Sequence, residues 1–373
     1  MVERTSYRDR ESGFEVIQLT NYRGHSHHFY FTNPGWYAGG HKLLFGSDRN
    51  NRTNLFGVDL ATGEIEPFTE LASMPLPREV ELQKACLNPV RDEVYLWHDV
   101  RLLAVDLATR RERLLYEAKP GWCISMTNGS ADGRHVYFGL WEDMSSRFTV
   151  DLMRGYVGFR ETWAARPLSQ IVQVATDGSG SKVVFEEKYW IGHVNTSFTQ
   201  PHLLTFCHEG PWDCVDHRIW GLDADSGRTW KIRPTVKGEV VGHEYWYADG
   251  IHIGYHGHTV QHQAVLGRIR FDDTDRTEAV FPGHTGHIHS NDETLIVGDG
   301  GGVIRVWKWD GRQYLPPRVL CRHDSAMKIQ QTHPHPRLSP DGSYVVFSSD
   351  RSGYGNVYMV RVPEFESLPP TKD

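Results

Sequence analysis

The chain has 373 residues, 39% of them apolar, with 12 Trp and a formal net charge of -7. That is ample apolar material for a packed core, and the acidic balance, with no basic run interleaved with aromatics, argues against nucleic acid as a partner. No apolar stretch approaches the roughly 20 residues of a membrane span. The segment Met1–Arg10 lacks an apolar targeting core, and the five cysteines form no CxxC pair and leave an odd count. The expected compartment is therefore reducing, the cytoplasm, with no membrane partner. An acidic protein takes an acidic ligand only through a local cationic patch or a metal ion.

Taken in chain order, Phe14–Thr20 alternates apolar and polar residues as a half-buried strand does. Leu44-Phe45-Gly46-Ser47-Asp48-Arg49 follows, then Asn54-Leu55-Phe56 and Val58-Asp59-Leu60-Ala61-Thr62. The last of these returns as Val105-Asp106-Leu107-Ala108-Thr109 and, more weakly, as Leu222-Asp223-Ala224-Asp225-Ser226-Gly227. Near the C-terminus, Val346-Phe347-Ser348-Ser349-Asp350-Arg351 and Asn356-Val357-Tyr358 repeat the opening pair. Short strands recurring at periods of roughly 40–50 residues are the signature of a β-propeller. Seven units are expected, near 35–70, 82–118, 123–188, 196–234, 240–281, 287–320 and 332–363, with an Arg- and Trp-rich insertion at about 142–168 in the third. The predicted fold is thus all-β, a single seven-bladed propeller domain over 1–373, with the N-terminal strand closing the last blade.

The histidines follow this period. His193, His243, His287 and the pair His333 and His335 open successive units, and Gly192, Gly242 and Gly286 precede the first three. Gly before His suggests a close backbone approach. In Gln330-Gln331-Thr332-His333-Pro334-His335-Pro336, two imidazoles two residues apart share one side of an extended chain. With a glutamine oxygen they could seat a divalent ion. Arg218 is a candidate to clamp a carboxylate, which a guanidinium meets in bidentate fashion. His243-Glu244 lacks the second helical histidine of a zincin, and no serine elbow or phosphate-binding glycine loop is present.

The runs Phe206–Pro211, Asp216–Trp220, His243-Glu244-Tyr245-Trp246, His287-Ile288-His289-Ser290-Asn291 with Val297–Gly300, and Gln330–Pro336 with Phe347–Asp350 resemble the oligogalacturonate lyases over nearly the whole chain. His25–Tyr30 and Asn51-Arg52 resemble that family's first blade. The resemblance implies β-elimination on short oligogalacturonides or related uronates. It puts the general base on His243 and the substrate arginine on Arg218. It puts a Mn²⁺-type ion on His287, Gln330, His333 and His335, with Gln331 and His289 as rival ligands. Such a donor set also admits Ni, Co, Fe or Zn. His25, Arg52, His193 and His208 are expected to contact the acidic oligosaccharide, and the protein to be a monomer or small homo-oligomer. The chain departs from the family in its first blade, in the insertion, and in the His-rich tract His252–His262. The competing reading, a non-catalytic carbohydrate- or protein-binding propeller, would have lost this His/Gln/Arg set.

Overall fold

The computed structural model of the protein describes residues 1–74 and 78–372. Seven consecutive antiparallel sheets carry nearly all of its regular structure, and the fold is a seven-bladed β-propeller. Blades 1 to 6 span 26–67, 86–117, 122–188, 191–231, 240–280 and 288–322; blade 7 combines 337–361 with N-terminal strands. The first strand of blade 1, Ser26–His28, lies ahead of the unit expected from the repeat. It is short and polar, so the apolar pattern does not reveal it.

In blade 7 the strand Glu15–Gln18 pairs antiparallel with Asn356–Arg361, Val16 opposite Val360. A further strand not foreseen from sequence, Thr5–Arg8, then pairs with Glu15–Gln18. The Asn-apolar-aromatic repeat shows why the N-terminal segment belongs there. In blade 1, Thr69 Oγ1 donates to Asn54 Oδ1 at 2.8 Å and accepts the Leu55 N–H at 2.9 Å. In blade 7, Thr20 Oγ1 donates to Asn356 Oδ1 at 2.9 Å and accepts the Val357 N–H at 2.9 Å. Thr20 therefore does for the last blade what Thr69 does for the first.

The Val-Asp-Leu-Ala-Thr repeat is a turn device. Asp59 Oδ1 accepts the N–H groups of Ala61 and Thr62, and Asp106 Oδ1 those of Ala108 and Thr109. Asp223 repeats the pattern with Asp225 and Ser226. An aspartate capping its own turn fixes the hairpin between a blade's last two strands.

The chain packs as two compact units, one of Met1–Gln83, Ala264–Leu266 and Glu278–Asp373, the other of Lys84–Gln263 and Gly267–Thr277. In the first, Leu43, Phe45 and Val58 of blade 1 pack with Val346, Val357 and Met359 of blade 7. In the second, Tyr137 and Ile171 of blade 3 pack with Ile191, Phe206 and Leu222 of blade 4. Each fully buried aliphatic contributes roughly 1.5–3 kcal/mol. The insertion forms a short helix, Phe159–Ala165. Phe159 packs edge-on against Trp190, and Trp163 Nε1 donates to Tyr189 Oη at 3.3 Å. Among the described residues no helix is long and apolar enough to cross a membrane.

Candidate catalytic and metal-binding clusters

In the first unit, His287, His333 and His335 converge: one ligand atom from each lies within 4.8 Å of the others. All three are buried. Their local backbone explains how. His287 directly precedes the first strand of blade 6, and Asp299 on the next strand holds it twice. Asp299 Oδ1 accepts the His287 backbone N–H at 2.7 Å, and Oδ2 meets Nδ1 at 2.8 Å. A Cβ at Gly286 would come within 2.8 Å of Asp299 Oδ1, so the glycine admits this clasp. Burial alone would raise the Asp299 carboxyl; the His287 contacts hold it below the ordinary carboxylate range. With Nδ1 committed to Asp299, His287 offers Nε2.

His333 and His335 leave a tight turn, Gln330–Thr332, whose first carbonyl accepts Gln83 Nε2 at 2.8 Å. His335 sits at φ 46, a conformation that costs a non-glycine residue on the order of 1 kcal/mol. Its ring lies 4.3 Å from that of His287 and 4.7 Å from Tyr30. His333 Nε2 meets the Met327 carbonyl at 3.2 Å, while its buried Nδ1 makes no hydrogen bond. Burial, reinforced by His287, pushes the His333 imidazole down to about 4, so it is neutral at physiological pH. Three converging imidazoles, an orphaned ring nitrogen and an orienting carboxylate behind one ligand fit a divalent cation. His289 is used differently: its buried Nδ1 accepts the Leu338 N–H at 3.2 Å.

In the second unit, His193 and His243 occupy equivalent places. Each lies in the first strand of its blade, at φ 48, where the register slips between Gly192 and Asn195 or between Gly242 and Tyr245. A bulge of this kind re-aims a side chain. His243 is half-buried, and its Nδ1 meets Nε2 of His256 at 2.9 Å, with the rings stacked. Trp212 sets its edge against both imidazoles, 5.0 and 5.7 Å between centroids. Arg218 is buried beside them, its guanidinium 5.6 Å from the Trp212 ring. A Cβ at Gly242 would meet Trp212 at 2.8 Å and Arg218 Nε at 2.9 Å, so glycine is what lets these groups close on the strand. Arg218 Nε donates to Glu244 Oε2 at 3.3 Å and Nη1 to Glu209 Oε1 at 3.2 Å. Burial would raise the Glu209 carboxyl, but the charges of Arg218 and His193 hold it low. His193 Nε2 lies 3.4 Å from Glu209 Oε2.

The other expected contact residues are His208, His25 and Arg52. His208 is buried, stacked 3.8 Å from Tyr189, with its ring nitrogens on Asp216 at 3.0 Å and Glu187 at 3.1 Å. In the first unit, His25 Nδ1 accepts the Gly355 N–H at 3.0 Å, and exposed Arg52 lines a cavity of about 700 Å³ with Arg49 and Asn54.

The profile of the oligogalacturonate lyase family matches residues 2–314. The chain belongs to the oligogalacturonate lyase family. An oligogalacturonide lyase of Pectobacterium atrosepticum and an oligogalacturonate lyase of Dickeya dadantii are each 26% identical to it over 394 residues, spanning 96% of this chain and 96% of theirs. A solved oligogalacturonate lyase in complex with manganese matches with a TM-score of 0.87 at 26% identity, covering 97% of both chains. The fold is shared with a Vibrio parahaemolyticus oligogalacturonate lyase, TM-score 0.85 at 24% identity over 98% of both chains. Family membership makes the chain an oligosaccharide lyase. Within an oligogalacturonate lyase scaffold, reading the sequence did not find Asp299, His256, Trp212, Glu209 or Glu244 as functional partners. Asp299, Glu209 and Glu244 stood inside the family motifs, and His256 in the His-rich tract, but only the strand register pairs them with His287, Arg218 and His243.

Proposed function

We propose that this protein cleaves oligogalacturonides or related uronate oligosaccharides by metal-dependent β-elimination, leaving a 4,5-unsaturated uronate end. The observation that carries the reading is the convergence of His287, His333 and His335 at ligand distance, with His333 Nδ1 orphaned. These three, with Gln330, would hold the ion, and manganese in a related lyase supports that metal first. When bound, a divalent ion supplies a Lewis acid for a uronate carboxylate.

The chain's own residues do the rest. The C5 proton of a uronate is only weakly acidic, so its base must be neutral and aimed. A His243 proton on Nδ1, donated to His256 Nε2, would leave Nε2 as the basic nitrogen for the C5 proton. Once Nε2 has taken the C5 proton, the His256 contact stabilises the imidazolium; the C5 electron pair forms the C4=C5 bond, the C4–O4 bond breaks, and the departing O4 takes a proton from the His243 imidazolium or from water, leaving as a hydroxyl. His256 is thus a positioning residue. Arg218, held by Glu209 and Glu244, presents a fixed guanidinium to the substrate carboxylate.

The test is incubation of the purified protein with digalacturonate and trigalacturonate, with and without chelator, following ultraviolet absorbance and product mass. A new absorbance and unsaturated fragments that disappear with chelator are expected. Hydrated fragments, or no fragments with metal present, would refute the elimination.

A further inference from the structure

The second unit holds a cavity of about 590 Å³ that shares one wall with the His243 group. That wall is Trp212, whose indole also edges His243 and His256. It is also lined by Lys237, from the linker between blades 4 and 5, by His258 at the end of the second strand of blade 5, and by His262 in the loop that follows that strand. His258 and His262 belong to the His-rich tract and, like His252, are not used by the proposed chemistry; the His258 and His262 rings lie 5.3 Å apart.

The charges around the cavity are unevenly spoken for. Its acidic residues are matched by cations or imidazoles: Glu239 by Arg233 at 2.6 Å, Asp216 by His208 at 3.0 Å, and Asp213 by Arg160 of the insertion helix at 3.5 Å. Lys237 makes no ion pair or hydrogen bond among the described residues. The cavity thus offers an uncommitted ammonium, two imidazoles able to donate or accept hydrogen bonds, and an aromatic face. An aromatic wall with a few convergent polar groups suits a sugar ring. An unpaired lysine selects one that carries a carboxylate.

We propose that Trp212, Lys237, His258 and His262 form a binding subsite for an additional uronate residue of the oligosaccharide, extending the His243 group and favouring chains longer than two sugars. The inference rests on the uronate lyase reading of that group. Its test compares wild type with Lys237→Ala and with the double variant His258→Gln/His262→Gln, each changed at side chains outside the buried core. In turnover, kcat/KM for trigalacturonate should fall about tenfold in Lys237→Ala, the loss of one charge-assisted contact, with digalacturonate unchanged. Calorimetric titration in chelator with the same two sugars reads binding whether or not elimination takes place. A tenfold weaker trimer affinity with unchanged dimer affinity supports the subsite. Equal trimer affinity in wild type and variants, or equal losses for dimer and trimer, overturns it. A wild type that binds the trimer preferentially but forms no unsaturated product would overturn the proposed uronate elimination and keep the subsite.

Discussion

Around His287, His333 and His335 the buried imidazoles are backed by one carboxylate, Asp299, and among the described residues no lysine or arginine is paired with that carboxylate. Around His193, Cys207 and Glu209 three potential ligand atoms also lie within 4.8 Å of one another. Yet there Arg218 already sits 3.2 Å from Glu209, and burial drives the Cys207 thiol well above its ordinary range, away from the thiolate a metal needs. A cation entering the second group would meet a guanidinium; one entering the first meets electron pairs. Donor count is the same in both, and under the proposed function the neighbouring charge favours the first as the place for a metal. The second group holds a guanidinium between two carboxylates, Glu209 and Glu244, beside an imidazole pair.

Breaking the second group at its base should give the largest effect. His243→Ala should lower kcat by about 10² to 10⁴, the usual cost of a lost general base, with metal content unchanged in elemental analysis. Full turnover in that variant would remove the base assignment. Breaking the first group acts through the metal instead. Asp299→Asn should weaken metal affinity about 10- to 100-fold, the usual cost of losing an orienting carboxylate, and excess manganese should restore activity. Unaltered affinity by titration would mean that Asp299 does not orient His287.

A smaller effect separates base from positioning residue. His256→Ala should reduce kcat about tenfold with KM little changed, and His256→Gln, which keeps an acceptor, should recover much of it. A change confined to KM would place His256 in substrate binding instead. The smallest effect is on stability. Burial pushes His217 down to about 4, its Nε2 meeting the Ile219 carbonyl at 2.7 Å. A histidine depressed in the folded state stabilises above its unfolded value, near 6.5, and loses that contribution as pH falls through its folded value. Thermal midpoints should therefore drop between about pH 6.5 and 4, and His217→Gln should drop less; parallel profiles would contradict this.

Much of this was legible because repeats write structure into sequence. The Asx turns at Asp59, Asp106 and Asp223 are local, and the Asn-apolar-aromatic motif recurs at Asn54 and Asn356 although Asn356 is linked to the distant Thr20, so their signals repeat in the chain. Gly before His marked real close approaches at Gly242 and Gly286. What the sequence hid depends on register across strands. His256 faces His243 because it pairs opposite Gly242, and Asp299 reaches His287 across a hairpin, neither being a spacing rule. His208 shows the converse. It stands in a family motif, yet its ring is enclosed by Tyr189 and two carboxylates that no linear pattern announces. The strand Thr5–Arg8 went unforeseen because it is polar and mostly exposed.

The most direct test of the metal centre is reconstitution. The protein would be stripped of metal and assayed on oligogalacturonate while manganese is added back, with bound metal counted at each step. Activity that vanishes on stripping, returns in proportion to one bound ion per chain, and fails to return in His333→Ala is the predicted result. Undiminished elimination by metal-free protein, or metal bound stoichiometrically by His333→Ala, would contradict it.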